Sequence, residues 1–184
     1  MTTNVHVVIK LGGAAITHKN ECEQFNAEAA AVVAQQIALL HQQDVSVIIV
    51  HGAGGFGHFL AKAAGLSAGG DGTLSERRAA AAQTHASVTK LNGRIIDQLL
   101  KCGVPAVGLS PIGTWRTRGR SVIGSGAQAV GELLRAGLVP VIHGDVVVDE
   151  SQGWCILSGD TLVTELCKVF RPQVAVFMVS SFID

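Results

Sequence analysis

The sequence lacks an excess of charge of either sign and lacks any long hydrophobic run. Fourteen Lys and Arg residues balance fourteen Asp and Glu residues, so the formal net charge over 184 residues is 0. Because the chain has no net positive charge to attract polyanions, we expect no binding to nucleic acid or to an anionic membrane. No apolar run reaches the ~20 residues that span a bilayer, and Lys10 interrupts the start before a signal sequence forms. We therefore expect a soluble, cytoplasmic protein.

The cysteines and histidines lack the spacing of a metal site. Four cysteines are scattered without a Cys-x-x-Cys pair, and of seven histidines only His51 and His58 are close in sequence. Their separation is not the i, i+4 spacing that brings two side chains to one helix face. We expect reduced structural thiols and no structural metal.

What is present is a high apolar content, with 48% hydrophobic residues, in two alternating patterns. Short β-branched runs indicate buried strands, and stretches with helical spacing indicate amphipathic helices. Strands are predicted at 5–11, 45–50, 104–109, 138–143 and 174–179, and helices at 26–41, 75–102, 127–136 and 161–170. This alternation predicts an α/β protein with a largely parallel sheet. A hairpin is predicted from 146–149 to 154–157, and a mobile surface loop at 64–73.

One arginine-rich segment has two interpretations. Residues 115–120 contain Arg116, Arg118 and Arg120 among glycine and threonine. A solvated loop is favoured over a clamp for phosphate groups.

Glycine-containing turns follow three of the predicted elements. They are Gly12-Gly13, residues 52–58, and Ser158-Gly159-Asp160 at the start of a helix. In an open α/β sheet, ligands bind beyond the carboxyl ends of the strands. Glycine lets backbone N–H groups approach phosphate oxygens, and a helix N-terminus adds partial positive charge. The three turns together predict one phosphate-binding site.

The second turn also matches a dinucleotide-binding pattern. Residues 52–57 read Gly-Ala-Gly-Gly-Phe-Gly, which satisfies GxGxxG. That fingerprint needs an acidic residue about 20 positions on at a strand end, and here that distance falls in a predicted loop and helix start. The P-loop pattern GxxxxGK[ST] is absent. A dinucleotide-binding domain is therefore kept only as a third alternative.

Cationic side chains accompany the first two turns. Lys10 precedes the first turn, Lys19 follows it, and His58 closes the second. Phosphoryl transfer depends on positioning and on cations that neutralise charge on the transferred group. Ordinary surface charge is the alternative for the lysines, and a backbone-bonded histidine is the alternative for His58. A lysine at the end of a buried strand, however, needs a partner for its charge.

Segments 10–19, 51–58, 139–145 and 156–160 together resemble the isopentenyl phosphate kinases of the amino-acid-kinase superfamily. The Gly-x-Phe-Gly-His run ending at His58 is similar to the branch that holds isopentenyl phosphate and fosfomycin kinases. The resemblance implies a three-layer αβα sandwich with a mainly parallel central sheet. It also implies ATP-dependent phosphorylation of isopentenyl phosphate to isopentenyl diphosphate, with Mg²⁺, by a homodimer.

The same resemblance implies a nucleotide side of the site. The ATP phosphates would be held by Lys10, Gly12, Gly13, Ala14 and Gly54.

It also implies an acceptor side and catalytic roles. Ala53, His58 and Gly159 would bind the phosphate of isopentenyl phosphate. Lys19 would stabilise the transferred phosphoryl group, and Asp160 would orient the active-site lysines.

The sequence departs from the family at two places. Gly55 stands where the family usually has Ser or Ala, a change expected to loosen the turn. Family members also continue for most of another domain half, so we expect residues 1–184 to be a single, truncated amino-acid-kinase domain. Poor turnover, weak ATP binding and association through the apolar strand 174–179 are expected to follow. The alternatives are a non-catalytic phosphate-binding module, or a kinase of another small phosphorylated or carboxylated substrate.

Overall fold

The computed structural model describes residues 5–18, 21–57 and 73–179. Its strands are β1 (Val7–Leu11), β2 (Val47–His51), β3 (Ala106–Leu109), β4 (Arg116–Arg118), β5 (Ser121–Gly124), β6 (Val139–His143), β7 (Asp145–Asp149), β8 (Gly153–Leu157) and β9 (Val174–Met178). Its helices are α1 (Gly13–Ile16), α2 (Ala27–His41), α3 (Leu74–Lys101), α4 (Ala127–Arg135) and α5 (Gly159–Phe170). The surface loop predicted at 64–73 lies, except for Thr73, outside the described residues. In the ranges given above, no helix is both long and apolar enough to cross a membrane.

The central sheet is five-stranded and parallel, in the order β3-β6-β2-β1-β9. Helices α2 and α3 cover one face with a core that includes Ile37 and Leu91. Helices α4 and α5 cover the other face with a core that includes Val130 and Leu162. Strands buried on both faces are continuous apolar runs, as in β2, where every residue is buried. The three-layer αβα sandwich with a mainly parallel central sheet is therefore confirmed.

A smaller four-stranded sheet, in the order β5-β4-β7-β8, carries the predicted hairpin as β7 and β8. The prediction of a solvated loop at 115–120 is wrong for its centre, because Arg116–Arg118 forms strand β4. The side chains alternate there, with Thr117 buried between two exposed arginines. Arg116 and Arg118 both bind the Glu150 carboxylate, which also argues against a phosphate clamp.

Side-chain caps fix where the long helices begin. The side chain of Asn26 accepts a hydrogen bond from the Ala29 amide at the start of α2. Helix α3 begins one residue earlier than predicted, because Thr73 and Glu76 form a reciprocal capping box. Ser158 accepts a hydrogen bond from the Thr161 amide and so places the first turn of α5 at the end of β8.

Strand β9 is the last element of the central sheet and pairs with β1. Within the part of the chain that the structure describes, it forms the sheet edge, and Val174 and Phe177 are each about half exposed.

Candidate functional site

Hydrogen bonds beyond the strand ends bring the first two glycine turns to one edge of the central sheet. The Gly12 amide donates to the Met178 carbonyl at 2.8 Å, and the Gly52 amide donates to the Leu11 carbonyl at 2.9 Å. These bonds extend the parallel ladder past β1, β2 and β9. The turns therefore start from a common line at the carboxyl end of the sheet.

The first and second turns are in direct backbone contact. A Cβ atom built on Gly13 would lie 2.4 Å from the Gly54 amide nitrogen, and one built on Gly52 would lie 2.9 Å from the Gly13 nitrogen. Gly54 has φ +49°, and its Cβ would lie 2.2 Å from Thr17 Oγ1. The Thr17 hydroxyl donates to the Gly13 carbonyl at 2.7 Å and accepts from the Gly55 amide at 3.1 Å. Only glycine fits at these approaches, and a buried threonine locks the two turns together.

The third turn adjoins the second. A Cβ on Gly159 would lie 3.2 Å from the His51 carbonyl oxygen, immediately before Gly52. A Cβ on Gly144, at the end of β6, would lie 3.1 Å from the Gly159 amide nitrogen. The structure therefore places all three glycine turns side by side.

An ion pair crosses this junction. Lys10 Nζ lies 2.7 Å from Asp160 Oδ1. The Lys10 side chain is 15% exposed, whereas that of Asp160 is 69% exposed. Asp160, in the first turn of α5, is thus the partner expected for the charge of Lys10 at the end of a buried strand. Its carboxylate lies on the solvent side of the pair.

The other predicted site residues differ in how much the structure says of them. Ala14 lies in α1, and Ala53 lies in the second turn between Gly52 and Gly54. Lys19 and His58 lie outside the described residues.

The expectation that Gly55 loosens the second turn is wrong. Its Cβ would lie 2.4 Å from the Glu21 carbonyl oxygen and 3.3 Å from that of His18. The Glu23 amide also donates to the Gly55 carbonyl at 3.3 Å. The turn packs tightly against the segment after α1, and the missing Cβ makes that approach possible.

A family model and several relatives match this arrangement. The model of the amino acid kinase family matches residues 6–180. The chain belongs to the amino acid kinase family. It is 34% identical to the isopentenyl phosphate kinase of Arabidopsis thaliana, over 95% of this chain and 63% of that protein. It is 32% identical to the isopentenyl phosphate kinase of Methanothermobacter thermautotrophicus, over 91% of this chain and 64% of that protein.

Solved structures agree with these relatives. An X-ray structure of isopentenyl phosphate kinase superposes with a TM-score of 0.88 at 30% identity, over 96% of this chain and 72% of that one. A product complex of the Thermoplasma acidophilum isopentenyl phosphate kinase gives a TM-score of 0.82, over 95% of this chain and 70% of that one. At 24% identity, that second likeness shows the fold alone. This member of the amino acid kinase family spans slightly under two thirds of the length of the two curated relatives.

Beneath the glycine turns, this amino acid kinase family chain holds two stacked, buried histidines. His51 and His143 are register partners at the ends of β2 and β6, with ring centroids 5.3 Å apart. Burial lowers the pKa of His51 to about 4, and burial with the neighbouring His51 lowers that of His143 to about 3. Both rings are therefore neutral near pH 7.

Both ring nitrogens of His51 face oxygen atoms. Nδ1 lies 3.0 Å from the Gly52 carbonyl oxygen, and Nε2 lies 3.1 Å from Asn92 Oδ1. Both oxygens accept hydrogen bonds, so the single N–H of the neutral ring donates to one of them. These contacts tie the second turn to α3.

This polar layer was not predicted from the sequence. Its signal is the repeated His-Gly pair at two strand ends, His51-Gly52 and His143-Gly144. The layer continues to Asp145, which follows the second of these pairs. From α3, Asn92 contacts His51 and His85 contacts Asp145, and neither has a local sequence signal because its partner lies on a distant strand.

Proposed function

We propose that this chain binds the phosphates of ATP and of isopentenyl phosphate at the three glycine turns and supports phosphoryl transfer between them. The observation that carries the proposal is the Lys10–Asp160 ion pair at the point where the turns meet. A lysine held there supplies fixed positive charge beside backbone that approaches without Cβ atoms. The curated relatives named above, isopentenyl phosphate kinases, support the choice of acceptor.

On the nucleotide side, the close backbone contact of Gly13 with Gly54 brings the first two turns together beside the Lys10 ammonium. We propose that Gly12, Gly13 and Ala14 present backbone to the phosphates, joined by Gly54 and by the Lys10 ammonium. Mg²⁺ usually keeps most of its waters and is held by nucleotide phosphates with one or two carboxylates, and it would neutralise phosphate charge. Asp160 is the carboxylate placed at these turns.

On the acceptor side, we propose that Ala53, His58 and Gly159 bind the phosphate of isopentenyl phosphate. The backbone of Gly159 opens α5, where the helix dipole favours an anion. Lys19 would stabilise the phosphoryl group during transfer.

The apolar tail of the acceptor needs an apolar surface close to this phosphate. Helix α3 packs Ala80 and Ala81 against Val146 of β7 and Trp154 and Ile156 of β8. Val146 is two residues from Gly144, which adjoins Gly159. We propose that this cluster borders the tail of isopentenyl phosphate.

The chemistry needs no protein base. An anionic oxygen of isopentenyl phosphate attacks the γ-phosphorus of ATP, a new P–O bond forms, and the bond to the β-phosphate oxygen breaks to release ADP. The attacking oxygen carries no proton that must be removed. The protein's part is to align the two phosphates and to balance their negative charge, which is the usual basis of phosphoryl-transfer catalysis.

The test is transfer of radiolabel from [γ-³²P]ATP to isopentenyl phosphate, with isopentenol and fosfomycin as competing acceptors. We expect isopentenyl diphosphate as the labelled product. His58→Ala should remove most turnover, while His41→Ala, at the opposite end of the sheet, should not. Saturable binding of isopentenyl phosphate without transfer would instead support a non-catalytic phosphate-binding module. Absence of both in folded protein would overturn the proposal.

A further inference from the structure

A buried carboxylate lies next to the third glycine turn. The side chain of Asp145, the first residue of β7, has no exposed surface. It accepts hydrogen bonds from His85 Nδ1 at 2.7 Å, from the Val146 amide at 2.7 Å and from Ser110 Oγ at 3.3 Å. Burial raises the pKa of Asp145, and the bonds from His85, Val146 and Ser110 act against that rise. A buried carboxylate depends on such donors, because an unpaired one is costly.

One of the two donors at 2.7 Å comes from a different layer of the fold. His85 lies in the first half of α3 and directs Nδ1 to Asp145, while its side chain remains 31% exposed. The contact joins the helix to β7 at the point where β6 ends. His143 also faces the same carboxylate, with Nδ1 3.8 Å from Asp145 Oδ2, but its pKa of about 3 keeps it neutral.

Asp145 is one residue from backbone that touches the candidate site. Gly144 packs so closely on the start of α5 that its Cβ would lie 3.1 Å from the Gly159 amide nitrogen and 3.4 Å from the Leu157 carbonyl oxygen. The Asp145 side chain is thus attached one residue from the backbone that packs against Gly159. Asp145 and Gly144 thus connect His85 to Gly159 in the third turn, and all four residues are described by the structure.

We propose that His85 is a positioning residue, which through Asp145 holds the Gly144 backbone against Gly159 and so sets the amide of Gly159 for an anion. The consequence for acceptor binding rests on the proposed function, whereas the effect on the Gly159 amide does not. The ring acts through Nδ1. Its Nε2 has no part in this role.

Two amide substitutions separate the ring nitrogens. In His85→Asn the amide nitrogen is two bonds from Cβ, as Nδ1 is, so the bond to Asp145 is retained. In His85→Gln the amide nitrogen is three bonds from Cβ, as Nε2 is, so that bond is lost. His41→Gln is the matched control, since His41 is a half-exposed histidine at the amino end of the sheet.

The first readout is the Gly159 amide signal in ¹H–¹⁵N spectra of the unliganded protein. We expect it to move in His85→Gln and to stay in place in His85→Asn and His41→Gln. Ser110→Ala removes a weaker donor to the same carboxylate and should move Gly159 less, in the same direction. It carries the test if His85→Gln does not fold. An unmoved Gly159 signal in both His85→Gln and Ser110→Ala overturns the proposal.

The second readout is calorimetric affinity for isopentenyl phosphate and for ATP. We expect His85→Gln to weaken isopentenyl phosphate about tenfold, the scale of one lost hydrogen bond, with ATP affinity unchanged and with His85→Asn restoring acceptor binding. If His85→Gln binds normally and His85→Asn does not, the ring contacts the acceptor through Nε2 and the positioning role is wrong. If the unsubstituted protein binds no isopentenyl phosphate, the proposed function fails, and the Gly159 signal still decides the positioning role.

Discussion

Lys10 and Asp160 join the first strand of the central sheet to the helix that follows the β7–β8 hairpin, with 2.7 Å between Nζ and Oδ1. The lysine is largely buried and the carboxylate is largely exposed. Because the exposed carboxylate is screened by water, the pair adds little to stability. We propose that the pair instead aims the ammonium group at the junction of the glycine turns.

Substitutions at this pair should change function more than stability. Lys10→Ala should lower ATP affinity and reduce the transfer rate by about 10²–10³, as loss of one fixed charge-stabilising donor does. Asp160→Asn should give a smaller loss of rate with little change in the free energy of unfolding. The measurements are ATP calorimetry, radiolabel transfer and urea denaturation.

Glu165→Gln is the control for Asp160→Asn, since it removes a carboxylate paired with Lys168 on the same helix. If the two variants lose activity equally, the Lys10–Asp160 contact has no special role.

Two glycine substitutions should have opposite effects on stability. Gly54→Ala places a methyl group 2.2 Å from Thr17 Oγ1 in a residue with φ +49°, so it should destabilise the protein by about 1–3 kcal/mol. Gly93→Ala, on α3, meets nothing within 4 Å and should stabilise it by about 0.5–1 kcal/mol. Urea midpoints measure both. Equal effects would show that the two turns are not packed as described.

These glycines show how far sequence reasoning reached. The strand-then-glycine pattern predicted that three turns would share one edge. For the first two turns the reason is that parallel strands end together, whereas the third follows β8 of the smaller sheet and adjoins the second turn through Gly159. The position of Lys10 at the end of a buried strand also predicted a partner for its charge. The distance from Lys10 to Asp160 could not be predicted from the sequence. The tightness at Gly55 was missed, since its neighbour, the Glu21 carbonyl, is set by how the segment after α1 folds back.

The smaller sheet shows a different limit. Strand β4 was predicted to be a loop because three residues are too few to show the alternation of buried and exposed side chains that indicates a strand. Glu150, which forms ion pairs with both arginines of β4, also lies far along the chain. The layer formed by His51, His143 and Asp145 was missed for the same reason, since it is built by strand register rather than by local pattern.

The buried histidines predict an acid-sensitive fold. The folded-state pKa values of His51 and His143, about 4 and about 3, lie below the unfolded value of about 6.5. Between these pH values the unfolded chain binds more protons than the folded chain. The free energy of unfolding is therefore highest above about pH 6.5 and falls as the pH drops toward 4. Urea midpoints at pH 7.5, 5.5 and 4.5 should fall in that order.

The raised pKa of Asp145 acts in the opposite sense, so a variant is needed to assign the effect. His51→Gln should flatten part of the fall between pH 7.5 and 4.5, whereas His41→Gln should leave its slope unchanged. An unsubstituted protein with a constant midpoint across this range would refute the assignment.

Among the described residues, strand β9 forms one edge of the central sheet, and we expect the 184-residue chain to self-associate along it. Val174, Val176 and Phe177 of β9 are 51%, 40% and 52% exposed, and an exposed apolar edge strand can pair with a strand of another chain. Val176→Lys should reduce the concentration-dependent increase in mass seen by light scattering. Val148→Lys is the control, because Val148 is also exposed but β7 is paired on both sides. Equal behaviour of the two variants would exclude β9 as the associating surface.

We propose that three glycine turns form one phosphate-binding site for isopentenyl phosphate and ATP. The most direct measurement is a ¹H–¹⁵N titration of the folded chain with isopentenyl phosphate, followed by ATP with Mg²⁺. We expect isopentenyl phosphate to shift the Gly159 and Ala53 amide signals with a single dissociation constant, and ATP then to shift those of Gly12, Gly13 and Gly54. Saturable shifts confined to other parts of the chain, or no saturable shifts at these glycines with either ligand, would contradict the proposal.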